Sequence, residues 1–106
     1  MKQVDFSREY SEQFDKLRKN RVKTSYFKYG PVATNFGQGL VSAMGSLEKC
    51  LEKYRKTGNT EYLCDAANYC MFEFMFPQKS DAFFCATDSV KSAGIDGISI
   101  NEMKNH

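Results

Sequence analysis

Large apolar residues recur along the N-terminal part of the chain at helical spacing. Phe6, Tyr10, Phe14 and Leu17 fall at i, i+4, i+8 and i+11, one stripe of an α-helix. The pattern predicts a first helix over about residues 6–20, with Asp5 or Ser7 supplying the N-cap oxygen. Glu9, Glu12 and Asp15 toward its start and Arg18, Lys19 and Arg21 at its end complement the helix dipole. Gly30-Pro31 breaks any helix, and Asn35, Gly37 and Gly39 signal turns. Residues 24–29 admit a short extended piece.

Leu40, Met44, Leu47, Leu51 and Tyr54 mark a second helix over about 39–56, and Gly58 stands where a left-handed C-terminal residue is expected. Asn59 or Thr60 restarts the chain as an N-cap, and a third helix runs over about 60–76 until Pro77 stops it. So short a break between two helices predicts an antiparallel hairpin. The third helix has a core side of Leu63, Ala67, Cys70, Met71 and Phe74. Its other side carries Glu61, Asp65, Asn68 and Tyr69 and turns aromatic at Phe72 and Phe76. An element apolar on both sides is a central one, covered by the hairpin partner and by the first helix or the aromatic 22–29 segment. After Pro77 the periodicity fades, apart from an apolar knot at 82–86 and a capping box, Ser99 to Glu102, for a last short helix. The expected architecture is therefore mainly α: a single domain over 1–106, a small helical bundle built on a central antiparallel hairpin, with an irregular C-terminal segment.

With 42% apolar and 26% charged residues in 106 positions, the chain has the composition of one globular domain. No apolar run nears the roughly 20 residues a membrane helix needs, and the start has no apolar signal-peptide core. The expected setting is the cytoplasm, with no membrane partner. Cys50, Cys64, Cys70 and Cys85 stand 14, 6 and 15 positions apart, without a C-x-x-C pair, and read as buried free thiols. The one histidine, His106, is the last residue and a poor ligand. The net charge of +2 hides a split: residues 1–58 hold 12 Lys/Arg against 6 Asp/Glu, and residues 59–106 hold 3 against 7. If the fold keeps the halves apart, one side of the molecule is basic and the other acidic.

Two constellations could carry chemistry. In the first, Glu48 and Glu52 lie one turn apart on the second helix, and Asp65 and Asn68 one turn apart on the third, beside Glu61. Facing helices that each offer acids one turn apart can hold Mg²⁺ against a nucleotide's phosphates. The stretch SLEKCLEKYRKTGNTEYLCDAANY, roughly a quarter of the chain, resembles the helical MazG-like nucleoside triphosphate pyrophosphohydrolases. That family uses E-x-x-E on one helix and E-x-x-D on the next. Here the first pair is E-x-x-x-E and the second ends in an amide, while Glu9-x-x-Glu12 has the spacing on another helix. The resemblance implies a Mg²⁺-dependent pyrophosphohydrolase with Glu48, Glu52 and Asp65 as metal ligands and Asn68 beside them in the catalytic set. Without it, Glu48 and Glu52 are surface acids paired with neighbours such as Lys49, Lys53 and Lys56, and Asp65 and Asn68 are polar residues on a rim or in a buried hydrogen-bond network.

In the second constellation, DKLRKNRVKTSYFKYG interleaves Lys16, Arg18, Lys19, Arg21, Lys23 and Lys28 with Tyr26, Phe27 and Tyr29. Basic residues attract phosphates and aromatic faces stack on unpaired bases, so Lys16, Arg18, Lys19, Arg21, Lys23, Tyr26 and Lys28 form a candidate binding segment for nucleic acid or a nucleic-acid-bearing partner. The same residues also fit a plain helix C-terminus with core aromatics. No P-loop, nucleophile elbow, G-x-G-x-x-G or zinc signature is present.

Two longer stretches, KTGNTEYLCDAANYCMFEFMFP and FFCATDSVKSAGIDGIS, resemble short accessory proteins of phages and integrative elements of low-GC Gram-positive bacteria. Proteins in that setting include inhibitors of CRISPR effector nucleases, which block a working surface and need no catalytic residues. The resemblance implies a non-enzymatic binding protein of a mobile element, an inhibitor of a host nuclease-based defence, with no cofactor and with a host nuclease or its nucleic-acid complex as partner.

Overall fold

The computed structural model describes residues 3–105. Its helices are α1 (Glu12–Tyr29), α2 (Val32–Asn35), α3 (Ala43–Thr57), α4 (Glu61–Met75) and α5 (Ile100–Lys104), with no strand among the described residues. The mainly α class is thus as expected. So is the hairpin: α3 packs along α4 through the most extensive contact in the molecule, and α1 covers α4 from another side. Gly58 closes the hairpin in the left-handed region (φ +71°) and donates its N–H to the Tyr54 carbonyl at 2.8 Å. Ser42 caps α3 by accepting from Gly45 N at 3.0 Å, and the Asn59 side chain accepts from Glu61 N at 3.0 Å to open α4.

The first helix differs from the expectation at both ends. Asp5 accepts from Ser7 N (2.9 Å) in a local turn, so neither residue caps the helix; Ser11 does, accepting from Phe14 N at 3.0 Å. Phe6 and Tyr10 precede the helix and are exposed, and Phe14 and Leu17 remain 38% and 47% exposed. Residues 24–29, read as a possible extended piece, continue α1 as helix. Their β-branched and aromatic content is a weak preference that packing overrides: nothing before Gly30 breaks the backbone, and Arg21 and Val22 anchor the helix to the rest of the fold. Gly30, at φ +95°, and Pro31 then end it.

The core is small. Phe36, Ala43 and Phe72 are buried, with Val22, Val32, Tyr69, Met71 and Phe76 packed around them. The Phe36 and Phe72 rings lie 4.9 Å apart. Gly37 is fixed by space, because a Cβ there would run into the Ala33 carbonyl oxygen and press on Phe76. On α4 the buried set is Cys64, Ala66, Asn68 and Phe72, while Cys70 and Phe74 are exposed. The side read as polar and aromatic is therefore the one that faces α1 and α2. The reason is that α4 is covered on two sides, so its apolar stripe alone does not show which residues go inward.

Cys50 and Cys64 are buried free thiols as expected, but Cys70 and Cys85 are exposed. From Pro77 to the start of α5 the chain is irregular. Ser99 caps α5 by accepting from Glu102 N at 3.2 Å. His106 lies outside the described residues.

Candidate functional site

The polar residues singled out on α4 meet α1. Arg21 grips Asp65 with two parallel bonds, Nε to Oδ1 at 2.9 Å and Nη2 to Oδ2 at 3.1 Å. Its Nη1 stands 3.7 Å from Glu61. The carboxylate beside it pushes the Arg21 pKa up from its already high value. One turn earlier, Arg18 binds Asp15 (2.6 Å) and rests its other nitrogen 3.8 Å from the Met71 sulfur. Lys19 reaches the second Asp15 oxygen at 3.1 Å, and this hydrogen bond chiefly holds the Asp15 carboxyl below the usual carboxylate range.

Asn68 is 4% exposed. Its Nδ2 donates to the Arg18 main-chain carbonyl at 2.8 Å, and its Oδ1 is buried without a partner. Asp65 and Asn68 thus take part in a polar network whose other members, Arg21 and the Arg18 carbonyl, come from α1.

The acids of the first constellation do not meet as one donor set. Glu52 pairs with Lys56 at 2.8 Å and both are exposed; Glu48 is exposed too. On the α3 side Asp65 shares a shallow depression with Lys49 and Lys53, the residues next in sequence to those glutamates and rotated toward α4 in their place. Both Asp65 oxygens are already held by Arg21. Among the described residues no three His, Cys, Asp or Glu side chains form a group that could hold a metal ion.

The second constellation divides across α1. Arg18 and Arg21 turn toward α4, and Lys19 is held by Asp15. Lys16 and Lys23 are exposed and form no ion pair among the described residues, and they share a face with Phe27, which is 86% exposed. Lys28 lies over the Tyr29 ring, 4.9 Å from its centroid. The Arg21 pairs join the basic half of the chain to the acidic half where α1 meets α4.

A cleft of about 270 Å³ opens between the C-terminal half of α1, the α2 turn and α4. Arg21 and Asp65 stand in its wall together with Ser25, Tyr26, Tyr29, Phe36, Asn68, Tyr69 and Phe72. Burial raises the Tyr69 pKa above the usual phenol value, so the hydroxyl stays protonated. Sequence reading flagged Tyr26, Arg21, Asp65 and Asn68 separately. It missed Ser25, a small polar residue of the 24–29 stretch that admitted an extended piece, and Phe36, for which no periodicity gives a signal because α2 is a single turn.

No protein-family model, curated protein or solved structure matches this chain. No helix among the described residues is long and apolar enough to cross a membrane.

Proposed function

We propose that this chain is a non-enzymatic binding protein that engages a protein partner through a segment its own fold leaves uncovered. One observation carries the reading. Between Pro77 and α5 the chain runs without secondary structure apart from turns, and its large apolar side chains, Phe83 (86%), Phe84 (83%), Val90 (87%), Ile95 (70%) and Ile98 (70%), stand in water. Apolar exposure on this scale marks an interaction surface in a soluble domain. The radius of gyration, 17.2 Å, agrees with an arm held away from the body, since a compact chain of this length has about 13 Å.

A protein partner is favoured over bare nucleic acid because Arg18 and Arg21, the strongest phosphate-binding residues of the basic segment, are already paired with Asp15 and Asp65 at a partly covered seam. The resemblance to accessory proteins of mobile elements supplies the finer reading, an inhibitor of a host nuclease-based, CRISPR-type defence. In that reading the acidic residues of the C-terminal half face the basic groove of an effector nuclease.

The test is affinity capture from lysates of low-GC Gram-positive hosts, with and without nuclease digestion, using the tagged chain and a Phe83→Glu/Phe84→Glu variant. Circular dichroism checks that the variant keeps its helices. The expected result is one stoichiometric protein that survives digestion and is lost with the variant. A chain that captures nothing, or a partner held equally by the variant, refutes the reading.

A further inference from the structure

We infer that the cleft between α1, α2 and α4 is a binding site for a flat, uncharged, hydrogen-bonding heterocycle of nucleobase size. The arm contributes none of its walls, so the inference stands apart from the arm's role. Volume sets the first limit: about 270 Å³ lies just under the roughly 300–1,000 Å³ of small-molecule pockets, which suits one ring system with few substituents.

The walls set the second limit. Tyr26 and Tyr29 from α1 and Tyr69 from α4 line the cleft as aromatic walls for a planar guest, backed by the buried Phe36 and Phe72. Charge sets the third. Arg21 and Asp65 are the charged groups of the wall, and they neutralise each other in their two-bond pair, so neither is free to hold an ion of opposite sign.

Asn68 narrows the chemistry further. It lines the cleft, its Nδ2 is committed to Arg18, and its buried Oδ1 has no protein partner. A buried acceptor without a donor is costly, and an N–H on the guest relieves it once a small shift of the cleft wall uncovers this oxygen, which water does not reach in the empty cleft. Stacking on aromatic rings combined with hydrogen bonds to a side-chain amide is how proteins read an unpaired base. The same base could arrive as a free nucleoside or as an unpaired nucleotide of a strand.

Two-dimensional NMR of the full chain tests this with adenosine, inosine, cytidine and uridine, and with short single-stranded oligoadenylate and oligouridylate. The expected result is saturable movement of the Asn68 side-chain amide and Arg21 Nε–H resonances. For a nucleoside, the low affinity typical of small guests gives a dissociation constant of about 0.1–5 mM. Ser25→Trp, which fills the cleft from α1, abolishes the movement. Tyr26→Ala, at a position more than half exposed and therefore compatible with folding, weakens binding roughly fivefold or more.

Saturation by a nucleoside with no gain from the oligomer assigns the site to free nucleosides. An oligomer that binds at least about tenfold tighter than its own nucleoside assigns it to a strand. The inference is overturned if no probe moves these resonances, if binding is unchanged in Ser25→Trp, or if the oligomers move lysine resonances alone. Should Ser25→Trp fail to fold, unchanged affinity in Tyr26→Ala overturns it equally.

Discussion

Arg21 and Asp65, 44 positions apart in the sequence, meet in a two-bond pair that fastens α1 to the hairpin. The pair is partly covered, with the Arg21 side chain 35% and the Asp65 side chain 19% exposed. Removing one member leaves the other partly desolvated, while removing both removes the penalty as well.

The first prediction follows from that asymmetry. Asp65→Ala lowers stability by about 1–2 kcal/mol, Arg21→Ala costs about the same, and the double variant costs distinctly less than the two combined. Denaturant unfolding of the four proteins measures the coupling. Effects that simply add would show that the pair is incidental to the packing of α1.

The buried thiols and the Tyr69 phenol make an alkaline limb. Burial raises the pKa values of Cys50, Cys64 and Tyr69, so between the unfolded and folded values the native state holds protons that the unfolded chain has released. Their contribution to stability is full below the ordinary values, 9.0 for the thiols and 10.0 for the phenol, and is lost as pH rises through the folded values. The unfolding midpoint should therefore fall from about pH 9 upward, and Cys50→Ala/Cys64→Ala should flatten the first part of that fall. Alkylation near pH 8 read by mass spectrometry checks the same burial: Cys70 and Cys85 react first, and Cys50 and Cys64 wait for unfolding. Four thiols reacting at one rate would contradict the fold.

The hairpin was legible because its signals are local and agree with one another: the stripe from Leu40 to Tyr54, Gly58 at the turn, and Pro77 at the stop. The start of α1 was not, because Asp5, Ser7 and Ser11 are all acceptable caps and the choice falls to a turn that Asp5 makes with Ser7. Which side of α4 faces inward was hidden for another reason. Asp65 and Asn68 look like surface residues until their partners are known, and those partners, Arg21 and the Arg18 carbonyl, come from a helix far away in sequence. The cleft combines three separate segments around a one-turn helix, a juxtaposition that no single window of the sequence contains.

Asn68 separates shape from polarity. Asn68→Asp discards the donor to the Arg18 carbonyl and brings a carboxylate into a position 4% exposed, so it should destabilise by roughly 2 kcal/mol or more at neutral pH. Asn68→Leu loses the same donor but also removes the orphan Oδ1, and should cost less than about 1 kcal/mol. Thermal unfolding of both variants decides it. A leucine variant as weak as the aspartate one would mean that the link to Arg18 outweighs the cost of the orphan oxygen.

The arm and the body should separate thermodynamically. The body's last tether is Gln78, whose Nε2 donates to the Phe36 carbonyl at 2.6 Å and whose N–H meets Glu73 Oε2 at 2.8 Å. Beyond it, every described residue from 82 onward is exposed except the half-buried Ser99, so removing them takes no large apolar side chain out of the core. A chain ending at Asp81 should keep its α3–α4 hairpin and its unfolding midpoint within about 2–3 °C of the full chain, since surface segments contribute little stability. The same truncation should abolish capture of the protein partner. A large fall in the midpoint would show that the arm packs on the body in solution, and the exposed Phe83 and Phe84 would then belong to the chain's own core instead of to a partner.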